Sequence, residues 1–350
     1  MILHTANIKL NTETGMGRIA CEWEKAFTKN GYKFVHIEPT LLSKPYHPLL
    51  MGKAFRNYIL KNRMKPKLIL SHEPLAGFLK FKGVPLVVFS HGVEERNWLV
   101  NKSHSFNKLS LKARLLPEVL RFYPNNKGFE QADYILLSNS TDKNYLLEKG
   151  ISSDKINIFS NGYHNMPAID CDKGVHLIYN GTWLPRKGIQ LIYDAVNFLF
   201  DRHREVALTI IGSSVDDGTV LSGFSEHLHS RIKIIPSFKA ADEETYLRCA
   251  NIFLLPSFFE GQSLALTQAM SIGLCPVVSD NSGQIDLVKH RQNGLLFETG
   301  NSGDFIKKLE ELIDNPSLIR LLGEYAQKSV RHLSWANVTN DLISNILSNT

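Results

Sequence analysis

The sequence predicts an α/β protein built from two doubly wound parallel sheets. Short, nearly uninterrupted apolar runs alternate with longer amphipathic stretches, which is typical of parallel strands covered by helices on both faces. A polar segment divides these runs into two sets of six, whereas one eight-stranded barrel would show a single continuous series. The length agrees with two domains, because 350 residues exceed one typical hydrophobic core.

The first six apolar runs predict the strands of the first sheet. In chain order they are MILHTA, YKFVHIEP, PKLILSH, VPLVVFSHG, ADYILLSNS and KINIFSNG. Amphipathic stretches between them predict helices at 16–29 and 142–149.

The next six runs predict the second sheet. They are VHLIYNG, VALTIIG, RIKIIPSF, NIFLLPS, CPVVSD and NGLLF, with helices predicted at 188–202, 241–249, 263–272 and 302–313. The polar segment YHNMPAIDCDKG (163–174) separates the two series. We therefore place the domain boundary within it, giving domains of 1–165 and 166–334.

Composition excludes several classes of protein. An apolar content of 43% and a charged content of 21% are those of a globular protein. The longest apolar runs are far shorter than the roughly 18 residues of a membrane span, and the start MILHTANIKL does not resemble a secretory signal. The four cysteines show no CxxC or metal-binding spacing, so we expect reduced, mostly buried thiols in a cytoplasmic protein.

Positive charge is concentrated in a basic block, residues 41–125. It holds 15 Lys or Arg residues against four acids, whereas the whole chain carries only +6. One interpretation is a solvated basic face. The other is attraction to anionic lipid headgroups or to an anionic acceptor, where each basic group contributes about 1 kcal/mol. Nucleic acid is not an expected partner, because no aromatic-plus-basic recognition motif is present.

Ligands of doubly wound sheets bind beyond the carboxyl ends of the strands, so the loops there are the candidate sites. After the first strand, Gly15 and Gly17 precede a helix whose amide groups could face a phosphate, although a tight turn explains them equally well. After the fourth strand, His91 stands in SHG at the mouth of the sheet. This histidine is either structural or functional.

Two loops of the second half combine charge with a helix start. In NGTWLPRKG, Arg186 and Lys187 precede a helix, which suits a diphosphate; a basic turn capped by Gly188 is the alternative. In FFEGQSLALTQAM, Glu260 follows a strand and Ser263 begins a helix. Gln268 lies on that helix, a little over two helical turns after Glu260. Glu260 would point at hydroxyl groups of a ligand, or would be a plain N-cap carboxylate.

A family resemblance joins these motifs. The segment PSFFEGQSLALTQAMSIGLCPVVSDNSGQIDLVKHRQNGLLF resembles the signature of the retaining, GT-B-fold glycosyltransferases of family 4, also called group 1 transferases. The glycine-bearing first loop, SHG, SNG and NGTWLPRKG stand in the family's order. LSWANVTNDLISNIL resembles the closing helix, here 335–350, which packs back on the first domain. The resemblance covers nearly the whole chain and implies two Rossmann-like domains facing each other across a cleft.

The resemblance also implies roles for single residues. Three would be catalytic: Glu260 binds hydroxyls of the donor sugar, Lys187 neutralises its diphosphate, and His91 lies near the transferred sugar. Gln268 stands where the family has a second carboxylate, which binds the ribose. The remaining positions would also bind the donor. The amides of Gly17, Ser263 and Leu264 and the cation of Arg186 would contact its phosphates. The ring of Phe238 would contact the base.

Two positions depart from the family pattern. Gln268 can still bond a ribose through its amide but lacks a charge. Many relatives have an arginine where this chain has Thr182, and Arg186 would have to replace that cation.

The implied activity is a retaining hexosyl transfer from a nucleoside diphosphate sugar, with UDP or GDP as the expected nucleotide. The second domain would bind the donor and the first the acceptor, which we expect to be a lipid-linked saccharide or another bacterial surface glycan precursor at the inner face of the membrane. No metal or other cofactor is expected, because no DxD-type carboxylate pair follows a strand.

Two alternatives remain open. A degenerate GT-B protein could act as a nucleotide-binding scaffold subunit, which Gln268 and Thr182 favour. A sugar-nucleotide epimerase would need acid–base carboxylates and histidines in another arrangement, which the sequence does not show.

Overall fold

The chain folds into two units, each built around its own sheet of six parallel strands. A computed structural model describes residues 1–42, 50–106, 118–164 and 174–348. The first unit contains Met1–Ser160 and Ala336–Thr350, and the second contains Asn161–Trp335. The boundary predicted between residues 165 and 166 lies outside the described residues.

The six strands predicted for the first sheet are confirmed. They are β1 (Ile2–Thr5), β2 (Phe34–Ile37), β3 (Leu68–His72), β4 (Leu86–Ser90), β5 (Tyr134–Leu137) and β6 (Ile156–Ile158). They pair in the order β2-β1-β3-β4-β5-β6, all in parallel. The helices are α1 (Gly15–Lys29), α2 (Met51–Lys61), α3 (Glu73–Ala76), α4 (Glu94–Ser103), α5 (Glu118–Gln131) and α6 (Ser140–Glu148).

Helix α1 shows why these elements form where they do. Thr14 is its N-cap, and the Thr14 side chain accepts a hydrogen bond of 3.2 Å from the amide of Gly17. Buried side chains then recur at helical spacing, at Ile19, Ala20, Trp23 and Phe27. Trp23 packs edge-on against Phe89 of β4, with ring centroids 4.8 Å apart, so the apolar face of the helix covers the sheet.

The six strands predicted for the second sheet are also confirmed. They are β7 (His176–Asn180), β8 (Ala207–Ile211), β9 (Ile232–Ile235), β10 (Ile252–Leu255), β11 (Cys275–Ser279) and β12 (Leu295–Phe297). The helices are α7 (Ile189–Leu199), α8 (Asp217–Leu221), α9 (Glu243–Leu247), α10 (Leu264–Ser271), α11 (Ser282–Leu287), α12 (Ser302–Ile313), α13 (Pro316–Val330) and α14 (Trp335–Ser348). From Ala336 onward, α14 belongs to the first unit.

Strand order determines which loops become neighbours. The second sheet has the order β12-β11-β10-β7-β8-β9, so β7 and β10 pair in parallel although two strands separate them in the chain. The chain therefore builds the sheet outward in both directions from this pair, and such a switch point is where ligands bind in open α/β sheets. Lys187 follows β7 and Glu260 follows β10, so both lie at the switch point.

The described part of the basic block is exposed where α2 ends. Lys61, Arg63, Lys65 and Lys67 are all exposed, and Leu60 beside them has 56% of its surface exposed. Lys44, Lys108, Lys112 and Arg114 lie outside the described residues. Within the described ranges, no helix is long and apolar enough to cross a membrane.

The cysteines differ from one another in burial. Cys21, Cys249 and Cys275 are free thiols, and of these only Cys275 is buried while Cys249 is exposed. The expectation of mostly buried thiols was therefore wrong for the described cysteines, because Cys249 follows the short helix α9 at the surface. Cys171 lies outside the described residues.

Candidate functional site

The centre of the candidate site is an ion pair between Lys187 and Glu260. Lys187 Nζ lies 2.5 Å from Glu260 Oε1, and the two side chains are only 16% and 10% exposed. The residues are 73 positions apart in sequence, and the β7–β10 pairing brings them together. The structure thus places two of the three predicted catalytic side chains in direct contact.

A glycine holds Lys187 in place. Lys187 ends a short 3₁₀ turn, Pro185–Lys187, and Gly188 follows with φ +76°, a left-handed conformation that favours glycine. A Cβ at Gly188 would lie 1.9 Å from the Pro256 carbonyl oxygen, so only glycine lets this turn pack on the loop that follows β10. Phe258 N–H donates 2.9 Å to the Arg186 carbonyl, which joins the two loops a second time.

Side chains of β11 and α11 form hydrogen bonds to the backbone of the segment that leads to Glu260. Ser279 Oγ donates 2.5 Å to the Ser257 carbonyl, and the buried Gln284 Nε2 donates 2.8 Å to the Leu255 carbonyl. Gly283 packs so closely that a Cβ there would lie 1.8 Å from the Gly261 carbonyl oxygen. Sequence reasoning assigned no role to these three residues, since their partners lie 22 or more positions away.

Electrostatics keep Glu260 ionised. Burial by itself would raise the pKa of Glu260, but the Lys187 charge and hydrogen bond, with a smaller contribution from Arg186, bring the pKa below its usual value. The site therefore contains an ionised carboxylate with two cations beside it.

The start of α10 adds amide donors next to Glu260. Ser263 is the N-cap, and its hydroxyl accepts a hydrogen bond of 3.3 Å from Leu266 N–H. The geometry of a helix leaves its first-turn N–H groups without intrahelical acceptors, so this end presents positive partial charge. The predicted contribution of Ser263 and Leu264 through their amides stays a prediction.

Gln268 has a different environment from Glu260. It is 1% exposed, its Nε2 donates 3.2 Å to the carbonyl of His164, and its Oε1 accepts a hydrogen bond of 3.4 Å from the His164 amide. The side chain predicted to bind the ribose thus forms hydrogen bonds with the backbone of His164 in this structure.

Phe238 lies at the same sheet edge. A Cβ at Gly212, directly after β8, would come within 3.2 Å of the Phe238 ring, which also packs edge-on against Tyr246 at 6.0 Å. The ring is half-buried, so one part of it can contact a ligand.

In the first unit, local packing explains why position 17 is a glycine. Its amide is taken by the Thr14 cap, and a Cβ there would lie 2.5 Å from the Asn11 carbonyl oxygen. The proposed phosphate contact at Gly17 stays a prediction, and this capped amide does not favour it.

His91 ends a row of histidines at the carboxyl edge of the first sheet. His36, His4, His72 and His91 follow one another with ring centroids 4.9, 5.0 and 4.7 Å apart. Nε2 of His4, His72 and His91 is buried without a hydrogen-bond partner among the described residues. Burial lowers the pKa of His91 to about 3, so its imidazole is neutral at physiological pH.

Two buried carboxylates hold the His91 turn, and sequence reasoning missed both. Glu73 accepts hydrogen bonds from Ser90 Oγ (2.7 Å) and from the Glu94 amide (3.2 Å). Asp142 accepts one from the Val93 amide (3.0 Å) and pairs with Arg96. Burial, reinforced by Glu94, raises the pKa of Glu73 to about 8.

Comparison with protein families gives two matches that together cover most of the chain. Residues 16–164 match the model described as Glycosyltransferase Family 4, and residues 171–329 match Glycosyl transferases group 1.

Among curated proteins, the chain is 30% identical over 135 residues to an uncharacterized glycosyltransferase of Haemophilus influenzae, covering 38% of this chain and 37% of that protein. It is 24% identical to an uncharacterized glycosyltransferase of Methanocaldococcus jannaschii, covering 73% of this chain and 78% of the relative. It is 26% identical to the amylovoran biosynthesis glycosyltransferase AmsK of Erwinia amylovora, and the match covers 55% of this chain and 49% of the relative. The chain thus spans less than half of the first and third of these relatives.

Solved structures share the fold. Sucrose-phosphate synthase of Thermosynechococcus elongatus superposes with a TM-score of 0.77 at 16% identity, covering 100% of this chain and 99% of that chain. HepE of Anabaena, solved with UDP-glucose, superposes with a TM-score of 0.74 at 13% identity, covering 99% of this chain and 99% of that chain. At these identities the likeness shows the fold alone, and it confirms the predicted GT-B fold of two Rossmann-like units.

Proposed function

The chain belongs to the glycosyltransferases that combine a family 4 domain with a group 1 domain, and from that premise we propose that it moves a sugar from a nucleoside diphosphate sugar to an acceptor. The observation that carries the proposal is the shielded Lys187–Glu260 pair at the switch point of the second sheet. A lysine beside a helix start suits a diphosphate, and an ionised carboxylate suits sugar hydroxyls.

In the proposed reaction the second domain binds the donor and the first binds the acceptor. Lys187, Arg186 and the first-turn amides of α10 stabilise the negative charge that grows on the departing diphosphate. Glu260 orients the sugar ring through its hydroxyls, and His91, neutral and half-buried, contacts the transferred sugar. We propose that the acceptor attacks from the face of the leaving group, so that the anomeric configuration is retained.

The proposed donor nucleotide is UDP or GDP. HepE, which shares the fold, was solved with UDP-glucose, and this supports a nucleotide sugar as donor. The proposed acceptor is a lipid-linked saccharide or another surface glycan precursor, for which the relative in amylovoran biosynthesis is support.

A nucleotide-sugar panel tests this function. At 100 times its dissociation constant, the correct donor should add about 2.7 kcal/mol of stability and raise Tm by roughly 5–10 °C. The corresponding free sugars are the control, since they lack the diphosphate that Lys187 and Arg186 would bind. If no UDP- or GDP-sugar shifts Tm at millimolar concentration, the proposal fails.

The alternative, a nucleotide-binding scaffold, is favoured by Gln268, which the structure shows occupied by His164. Product analysis over many acceptors separates the two functions. A donor that shifts Tm but is neither transferred nor hydrolysed would establish the scaffold.

We also propose that the basic block contacts an anionic surface, which would be the inner face of a bacterial membrane. The support is the exposed group Lys61, Arg63, Lys65 and Lys67, with the exposed Leu60 beside it. Cations flanking an apolar side chain suit the boundary between headgroups and acyl chains.

Replacing these four cations with glutamine should reduce co-sedimentation with anionic vesicles by at least tenfold at low salt, because each contributes about 1 kcal/mol near such a surface. The matched control neutralises four exposed cations of the second unit, Arg202, Arg204, Lys307 and Arg320, and should bind as the unmodified protein does. Equal loss in both variants would indicate a response to net charge alone. Failure of the unmodified protein to sediment with such vesicles would refute the surface proposal.

A further inference from the structure

Four residues where the chain enters the second unit lie against the loop and helix of the candidate site. Asn161 N–H donates to Gln262 Oε1, and Asn161 Nδ2 donates 3.0 Å to the Gln262 carbonyl. Three residues later, the His164 peptide groups bond to Gln268. This entry segment, Asn161–His164, is therefore fastened at both ends to the sequence that follows Glu260.

The entry segment is also joined to the segment where the chain leaves the second unit. Tyr163 N–H donates 3.0 Å to the Leu333 carbonyl, and Trp335 N–H donates 3.3 Å back to the Tyr163 carbonyl. A Cβ at Gly162 would lie 2.6 Å from the Trp335 ring, so the two segments are in close contact.

The contact of Gln268 is specific to an amide. Its Nε2 donates to the His164 carbonyl while its Oε1 accepts from the His164 amide, so one side chain satisfies both polar groups of one residue. A glutamate could accept from the amide but has no donor for the carbonyl, and its charge would face a carbonyl oxygen. With 1% of its surface exposed, Gln268 has no water to compensate for such a loss.

We propose that Gln268 is a positioning residue that fastens the entry segment to α10, and not a ligand of the donor's ribose. The proposal rests on the proposed function, because it assigns the role of one residue at the proposed donor site. Through α10, Gln268 fixes the loop of Gly261 and Gln262, and so the orientation of Glu260. The bonds to His164 then explain why position 268 is an uncharged glutamine, and a weakened ribose contact does not.

Q268E tests the proposal, and Q262E is its matched control. Among the described residues, the Gln262 side chain acts only as an acceptor, so a glutamate there retains the bond from Asn161. A glutamate at 268 loses a donor in a buried place. We expect Q268E to lower Tm by roughly 5–10 °C and Q262E to change it little.

Two further measurements separate positioning from general destabilisation. Hydrogen exchange should accelerate at least tenfold in the peptide covering 161–164 of Q268E, with the strands of the second sheet unchanged. UDP and GDP should bind Q268E no more tightly than the unmodified protein. Q268M removes both hydrogen bonds without adding a charge and should give the same acceleration of exchange at 161–164. It replaces Q268E in these measurements if Q268E does not fold.

A ribose ligand predicts the opposite result. A carboxylate would then bond the ribose hydroxyls more strongly than an amide, and Q268E would bind UDP or GDP about tenfold more tightly. That result, or unchanged exchange at 161–164, would overturn the proposal. Exchange and Tm need no nucleotide, so a protein that binds neither UDP nor GDP would refute the proposed function and leave the role of Gln268 to be decided by exchange.

Discussion

Replacing Lys187 with alanine is expected to lower the rate of sugar transfer by about a thousandfold. Removing one preorganised group that stabilises transition-state charge typically costs a factor of 10² to 10³, and Lys187 is a cation whose side chain is only 16% exposed. The measurement is the initial rate of transfer from the donor that the nucleotide-sugar panel identifies. Lys307, an exposed lysine of the same unit, provides the control variant K307A, which should retain the full rate.

The same substitution should also destabilise the second unit, for a reason unrelated to catalysis. It leaves the Glu260 carboxylate buried without its partner, and breaking a buried ion pair from one side typically costs about 3–5 kcal/mol. A double variant, K187M with E260Q, removes both charges and should recover most of this stability while transfer stays lost. Near-normal transfer in K187A would contradict the assignment of Lys187 to the diphosphate.

Mild acid is expected to destabilise the first unit by about 2–3 kcal/mol per pH unit between pH 6.5 and 5. Burial lowers the pKa of His4, His72 and His91, so all three stay neutral in the folded protein. In the unfolded chain they protonate below the ordinary histidine pKa of 6.5, and the unfolded state then binds three more protons. Stability therefore falls as pH falls.

Glu73 opposes part of this effect. Its pKa is raised to about 8 in the folded protein, so the folded state retains a proton that the unfolded chain releases above pH 4.5. The net difference is about two protons, each worth about 1.36 kcal/mol per pH unit. His36, the fourth histidine of the row, also has its pKa lowered by burial and adds to the effect in the first unit, and the lowered pKa values of His176 and His290 act in the same direction in the second unit.

Urea unfolding at pH 7.5, 6.5, 5.5 and 5.0 measures the slope. H72L should reduce proton uptake on unfolding by about one, because it removes one neutral histidine from the row while leaving His91 in place. A stability that is flat or rises as pH falls from 6.5 to 5 would show that the row is charged in the folded protein.

The strands and six helices could be read from local sequence, whereas α2, α4 and α13 were not singled out. A buried parallel strand needs a short apolar run and a turn after it, and all twelve such runs form strands. Helix α5 (Glu118–Gln131) was not singled out, because Pro124 lies inside it and proline is a poor predictor of helix interior. Lys187, Glu260 and His91 were singled out because polar residues in the loops after apolar runs stand out in the sequence.

The buried polar network behind the site could not be read in the same way. Glu73 and Asp142 look like ordinary helix-start acids, yet the structure uses them to hold the turn of His91. Gln284 and Gly283 fasten the Glu260 loop, and their roles depend on which strands become neighbours. Gln268 is the clearest case: the resemblance implies a ribose contact, which stays a prediction, and its contact with His164 could not be read from the sequence.

Sequence alone therefore determined the two sheets, their twelve strands and the charged loops at the strand ends, because hydrophobic periodicity and turn residues act over a few positions. Tertiary structure decided that Lys187 meets Glu260 across 73 residues and that Gln268 meets His164 across 104. These contacts follow from strand order and from burial, because a buried polar group is destabilising unless it is hydrogen-bonded, and its partner often lies far away in the sequence.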